Sequence, residues 1–214
     1  MDVELYCTRS GKEVVQEFLD SLPSKDLAKV IRDIELLAQY APDLHEPYTK
    51  HIDGPIWELR SKFFSNIYRI FYFIWDGNKL VLLHGFTKKP KKHRRLKLRL
   101  QRSDGGLSKP GTINMPNTKR RPHHMDFKEY KAKVFAERPE VKEEYDVLAP
   151  QYEIIRAEIE SRRAIGMTQK QLAEKMGTAQ ANISRFESGT YNPSLAFLQK
   201  MADSLGKTLK ISLE

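Results

Sequence analysis

A single cysteine, Cys7, stands among 214 residues. One thiol can build neither an intrachain disulfide framework nor a cysteine-based zinc finger, and such scarcity fits a reducing cytosol. No apolar run approaches the ~20 residues that a membrane-spanning helix needs. The opening Met-Asp-Val-Glu lacks a basic segment followed by an apolar stretch, so no secretory signal is expected. Also missing are a metal-ligating cluster, a convincing Ser-His-Asp order, a phosphate-cradling glycine loop and any internal repeat. The expectations are therefore no metal, no cofactor, no membrane contact and a cytoplasmic location. Acid is absent from one stretch in particular. Lys88 to Arg102 holds nine Lys/Arg and no Asp or Glu, which accounts for the whole net charge of +9. Such a run reads either as a polyanion-binding segment or as a solvated tail.

What is present divides in two. Apolar residues make up 40% of the chain, enough for one large core or two small ones. Ser103 to His124 is rich in Gly, Pro, Ser and Asn and has almost no apolar periodicity, the composition of a linker. The expected organisation is an α+β domain over 1–102, a linker over 103–124 and an all-α domain over 125–214, with a core at 151–206. In the first domain, Val3 to Thr8 reads as a strand. Val14 to Leu22 and Leu27 to Tyr40 read as helices, the second with Val30, Ile31, Ile34 and Leu37 at helical spacing and Pro42 as its stop. Ile56 to Phe63, Ile67 to Trp75 and Leu80 to Phe86 read as an antiparallel meander. Asp76-Gly77-Asn78 supplies a hairpin turn between the last two. In the second domain, helices are expected over Phe127 to Val134, Glu140 to Leu148, Tyr152 to Arg163, Thr168 to Met176, Ala179 to Glu187 and Pro193 to Leu205. The alternation of Leu209, Ile211 and Leu213 suggests a terminal strand over Lys207 to Leu213.

The densest signal is MTQKQLAEKMG followed by TAQANISRFESG. Thr168 with Gln171 three residues on is a capping box. Leu172 and Met176 face inward four residues apart, Ala173 allows a close helix approach, and Gly177 allows a tight turn. Thr178 is a good N-cap for the next helix, and Asn192-Pro193 for a later one. Ile183 and Phe186 anchor that next helix, leaving Gln180, Asn182 and Arg185 outward. Gln and Asn can read adenine edges; Arg can read guanine or hold phosphate. This stretch, about sixty residues long, resembles the Xre/Cro family of helix-turn-helix repressors. The resemblance implies operator DNA as partner, Gln169 on phosphate, Thr178, Gln180, Asn182 and Arg185 in the groove, Glu187 as a fold support and a homodimer.

The N-terminal region offers a basic and aromatic face instead of a familiar catalytic order. Arg69 is a charge inside a strongly apolar strand, either functional or reaching out to water. The strings GPIWELR, YRI and LLHGF, within about Met1 to Lys89, resemble the HigB branch of the RelE toxin superfamily. The resemblance implies a metal-independent mRNA endoribonuclease acting on the ribosome. It implies Arg60 and Arg69 as stabilisers of the phosphorane, and Lys88 and Lys89 as RNA holders or assistants. His84 would be an acid or base, or equally a packed strand residue. Tyr48 and Lys50 would contact RNA.

Together the two resemblances imply a HigB-type toxin fused to a HigA-type antitoxin, in contact in cis or in trans, with the antitoxin keeping the toxin site covered. Met115 is a candidate for the antitoxin's original start. The toxin pattern breaks at Pro90 to Gln101, where PKKHRRLKLRLQ replaces an expected amphipathic helix. Codons exist for this run that read, one frame over, close to the missing helix, so a frameshift near Pro90 to His93 is one expectation. An inactive domain that serves only protein contacts, attached to a non-enzymatic repressor, is the alternative.

Overall fold

The computed structural model describes residues 1–8, 11–41, 44, 48–88 and 125–212. Lys89, the rest of the basic run, the linker and the expected frameshift lie outside them.

The N-terminal region is a five-stranded sheet with two helices on one side. β1 (Asp2–Leu5) leads into α1 (Val14–Asp20) and α2 (Ser24–Tyr40). Next come β2 (Thr49–Asp53), β3 (Ile56–Phe63), β4 (Asn66–Trp75) and β5 (Lys79–Thr87). The spatial order is β1-β5-β4-β3-β2. The expected meander is present as β3-β4-β5. Its second turn places Asp76 at φ 49° and Gly77 at φ 69°, the left-handed pair that matches strand twist in a tight hairpin. Two features differ from expectation. β1 pairs in parallel with β5, so the sheet is mixed, and β1 stops at Leu5. β2 was not anticipated: TKHID has one strongly apolar residue, as a half-exposed edge strand can.

α2 carries the packing. Twelve of its 17 residues are buried, and the set includes Lys29, Arg32 and Asp33 as well as Leu27, Val30, Ile31, Ile34 and Leu37. A helix buried on both sides must have a second layer against it. Its apolar side covers the sheet; each fully buried Leu or Ile contributes roughly 1.5–3 kcal/mol. Its end is set by Ala41, extended at ψ 145° as the residue before a proline prefers.

The second layer is the C-terminal region, made of α3 (Phe127–Glu137), α4 (Pro139–Val147), α5 (Ala149–Ala164), α6 (Gln169–Lys175), α7 (Gln180–Glu187) and α8 (Leu195–Ser204). The chain re-enters beside β1, where Leu5 N–H donates to Met125 O at 3.3 Å. The joint with α1 and α2 is polar and rich in tyrosine. Tyr130 donates to Asp20 at 2.8 Å, Tyr145 to Glu35 at 2.6 Å, and Tyr152 to Asp33 at 2.5 Å. Tyr40 donates back to Glu160 at 2.8 Å. The Arg32 guanidinium lies 3.4 Å from the Tyr145 ring centre and donates to the Tyr145 carbonyl at 2.8 Å.

Among the described residues 207–212 there is no strand, contrary to the expected terminal one. The alternation is present, but among the described residues no strand pairs with it to complete a ladder.

Candidate nucleic-acid interfaces

Strand alternation sorts the sheet's side chains between its two faces. Tyr68 donates to Asp26 of α2 at 2.7 Å, and Gly85 stands against Phe18 of α1 so closely that a Cβ would fall 1.9 Å from the ring. Residues adjacent to these in sequence therefore face away from the helices. On that face the register lines up two cross-strand rows: Lys50, Glu58, Phe71 and His84, then Arg60, Arg69 and Phe86. Four sequence candidates, Lys50, Arg60, Arg69 and His84, thus share one surface. Lys88 is exposed just past β5, its N–H bonded to Ile67 O at 2.7 Å.

Arg60 sits directly opposite Arg69, and like charges in that position destabilise a sheet. Glu58 offsets the repulsion. It is fully buried and takes Arg69 Nη1 on both oxygens, at 2.7 and 2.8 Å, while Arg60 Nε donates to Oε1 at 3.1 Å. One carboxylate serves two guanidiniums, so the cluster keeps a net positive charge. Beside it, Phe71 and Phe86 have ring centres 5.5 Å apart, and His84 stacks on Phe86 at 6.3 Å and 19°. Burial pushes the His84 imidazole below its ordinary range, which leaves it neutral at neutral pH and able to accept or donate a proton. The set can attract a phosphate, stack a base and exchange a proton.

Tyr48 corrects the sequence reading. Expected to touch RNA, it is 2% exposed, its hydroxyl is buried, and the acids around it are Glu187, Asp33 and Glu158. It belongs to the joint between the sheet and the C-terminal helices, where Tyr40, Leu44, Ile159 and Arg162 line the same recess.

In the C-terminal region, the capping box of Thr168 and Gln171 starts α6. Gly177, at φ 58°, turns the chain into α7. Leu172, Met176, Ile183 and Phe186 are all buried, which fixes the angle between the two helices. Thr178 is not the N-cap; Ala179 is, and no side chain caps it. Thr178 Oγ1 instead accepts from Asn182 Nδ2 at 2.7 Å, and Asn182 Oδ1 accepts from Arg185 Nη2 at 2.5 Å. Three of the expected groove residues thus form one hydrogen-bonded file on α7, with Gln180 exposed at its start. Gln169 is half-buried and donates to Glu187 Oε2 at 2.8 Å. Further on, Ser194 caps α8 in place of Asn192, accepting from Phe197 N–H at 3.2 Å.

Sequence reasoning missed Glu58, Glu158 and Asp33. Glu58 left a signal: an acid inside an apolar strand, two residues before an arginine, is an acid that must be paired when buried. Glu158 and Asp33 left none, since each occupies a helix position where a solvated charge is the ordinary outcome.

Comparison with known proteins agrees with this division. Residues 17–102 match the family of phage-derived Gp49-like proteins, and residues 159–211 match a helix-turn-helix family. An uncharacterized HTH-type transcriptional regulator from Haemophilus influenzae is 45% identical over 58 residues, which are 27% of this chain and 59% of that protein. The chain thus spans about three fifths of that relative's length. Another so named, from Methanothermobacter thermautotrophicus, is 40% identical over 48 residues, 22% of this chain and 70% of that protein. Through its C-terminal helices the chain belongs to the family of HTH-type transcriptional regulators, and it carries ahead of them a region similar to the Gp49-like proteins.

Proposed function

We propose that this chain is a HigB–HigA type fusion: an operator-binding repressor, acting as a homodimer, joined to a RelE-type domain that carries a metal-independent endoribonuclease site for mRNA. The domains would run over 1–102 and 125–214, with 103–124 between them. The observation that carries the repressor half is the file of exposed Gln180, half-buried Asn182 and exposed Arg185 on α7, set on a helix pair whose inner face is packed. Duplexes selected from a random pool by the full chain test it. Asn182→Ala and Gln180→Ala should each lower affinity for the selected site by ~1–3 kcal/mol while changing non-specific binding little. Wild-type selectivity in both variants would sink the groove assignment.

The nuclease half rests on Arg60 and Arg69 standing side by side with His84 on the face away from α1 and α2. Cleavage should survive chelator and leave a 2′,3′-cyclic phosphate; a magnesium requirement would remove the arginines from the charge-stabilising role. The repressor-only reading keeps one observation in its favour, that Glu58 already engages both guanidiniums. One earlier expectation changes. The described C-terminal helices dock on α1, α2 and the β1 edge, so restraint of the nuclease would not come from those helices lying over the arginine face.

A further inference from the structure

One buried cluster belongs to neither nucleic-acid face. Glu158 of α5 and Glu187 of α7 are 3% and 1% exposed and share a single guanidinium. Arg162 Nε donates to Glu158 Oε1 at 3.0 Å, its Nη2 lies 3.1 Å from Glu187 Oε1, and its Nη1 donates to Met167 O at 3.1 Å. Gln169 donates to the other Glu187 oxygen. Glu158 Oε2 is buried without a hydrogen bond, Glu187 Oε1 keeps only its ion pair with Arg162, and the two carboxyl groups lie within hydrogen-bonding reach of each other. Two buried carboxylates with one cation are costly to keep ionised together. A single proton on Glu158 would give Oε2 a bond to make toward Glu187 and bring the charge around Arg162 to balance.

The cover over this pair comes from the sheet region. Tyr48, with a buried, unbonded hydroxyl, lines one recess with Arg162, Gln169 and Glu187, and the negative field of Glu187, Asp33 and Glu158 reaches that hydroxyl. Asp33 at this joint is engaged by other groups. Lys29 of α2 holds Asp33 at 2.7 Å, Tyr152 donates to Asp33, and Lys29 rests against Gly189 just past α7. Exposed Arg163 and Lys170 line the same recess, and Arg162 is the cation paired with both acids. We propose that Glu158 and Glu187 form a one-proton site, closed over by Tyr48, that makes docking of the sheet region onto the helix-turn-helix proton-dependent.

In the docked state Glu158 carries the proton and Glu187 accepts from it. Burial raises both acids and Arg162 lowers both, but the neighbouring Glu187 raises Glu158 further while Gln169 lowers Glu187 alone. Withdrawal of Tyr48 lets water reach the pair, the Glu158 O–H bond breaks, and the proton passes to solvent. The only balance is one proton released per undocking. Because the folded group titrates above an ordinary carboxylate, its stabilisation is present on the acid side and is lost as pH rises through the folded value. The site also reaches the DNA-facing helices, since Glu187 closes α7 and holds Gln169.

The test uses the full chain and needs neither nucleic acid. Urea unfolding is measured from pH 6 to pH 9 for wild type, Glu158→Gln and Tyr48→Ala. Glu158→Gln copies the protonated acid. Relative to wild type it should remove close to one proton of linkage, a tenfold change in the unfolding constant per pH unit. It should also be the more stable chain at pH 9. Tyr48→Ala, which admits water and leaves both acids in the chain, should reduce the same slope. Equal slopes in wild type and Glu158→Gln would overturn the proton site, as would a Glu158→Gln chain that does not fold at pH 6, since ionised Glu158 would then be required. A full slope retained in Tyr48→Ala would confine the pair to the helices and overturn its coupling to the sheet region.

Discussion

Two charge triads of opposite composition sit in the two halves of the molecule. In the sheet, Arg60, Glu58 and Arg69 set two cations around one anion. In the helices, Glu158, Arg162 and Glu187 set two anions around one cation. The sheet triad buries only its centre: Arg60 and Arg69 side chains keep 27% and 16% of their surface. The helical triad buries everything, with 13% left on Arg162 and 1% on each acid. The difference teaches what each excess charge can do. An excess cation at a partly open face can meet an external anion. An excess anion in a closed site has no partner to meet and must take up a proton.

The largest expected effect comes from removing the centre of the closed triad. Arg162→Met leaves two buried acids without their cation and should cost ~3–5 kcal/mol of stability. Urea unfolding at pH 8 reads it, and a cost below about 1 kcal/mol would show that water already reaches the site. Removing the centre of the open triad should cost less. Glu58→Gln leaves two arginines opposed across β3 and β4, but both can turn toward solvent, so ~1–3 kcal/mol is expected. It should leave the pH dependence assigned to Glu158 intact. If Glu58→Gln cost more than Arg162→Met, the ranking by burial would be wrong.

The same contrast explains what could be read in the sequence. The helix-turn-helix was legible because its signals are local. A capping box, a left-handed Gly177 and four apolar residues at fixed spacing lie within twenty residues of each other. The outward file of α7 followed from the same periodicity. The sheet face was half legible: Arg60, Arg69 and His84 were picked out, but their shared face depends on a register that no single strand encodes. The joint was not legible. Lys29, Arg32, Asp33 and Glu35 look like the solvated side of α2, and only a second layer turns them into an interface. Tyr48 was misplaced for the same reason, and the N-cap expected at Thr178 failed because that hydroxyl is taken by Asn182. Local rules cannot see a partner more than 100 residues away.

A smaller effect sharpens the local side of the comparison. Thr168→Ala removes the capping box of α6 and should cost about 1 kcal/mol, measured by thermal or urea unfolding. Unlike the triads it should show no pH dependence, because no titrating group is involved; a pH-dependent cost would tie the cap to Glu187 through Gln169.

The smallest expected effect is the most telling about the sheet. Arg60 Nε donates to one Glu58 oxygen at 3.1 Å, whereas Arg69 Nη1 reaches both at 2.7 and 2.8 Å. Arg60→Gln leaves Arg69 and Glu58 as a matched pair and ends the opposition of two like charges across the strands. The lost ion pair is worth ~0–1 kcal/mol at a partly exposed site, and the relieved repulsion is of similar size and opposite sign. Stability should therefore change by no more than about 1 kcal/mol, with the m-value unchanged. A residue that can be removed at so little cost, yet stands beside a like charge on the face that carries His84 and Phe86, is held there for something other than the fold. RNA cleavage measured on the same variant should fall at least tenfold if that use is phosphate stabilisation. A loss of more than 2 kcal/mol in stability would reverse the conclusion and make Arg60 a structural partner of Glu58.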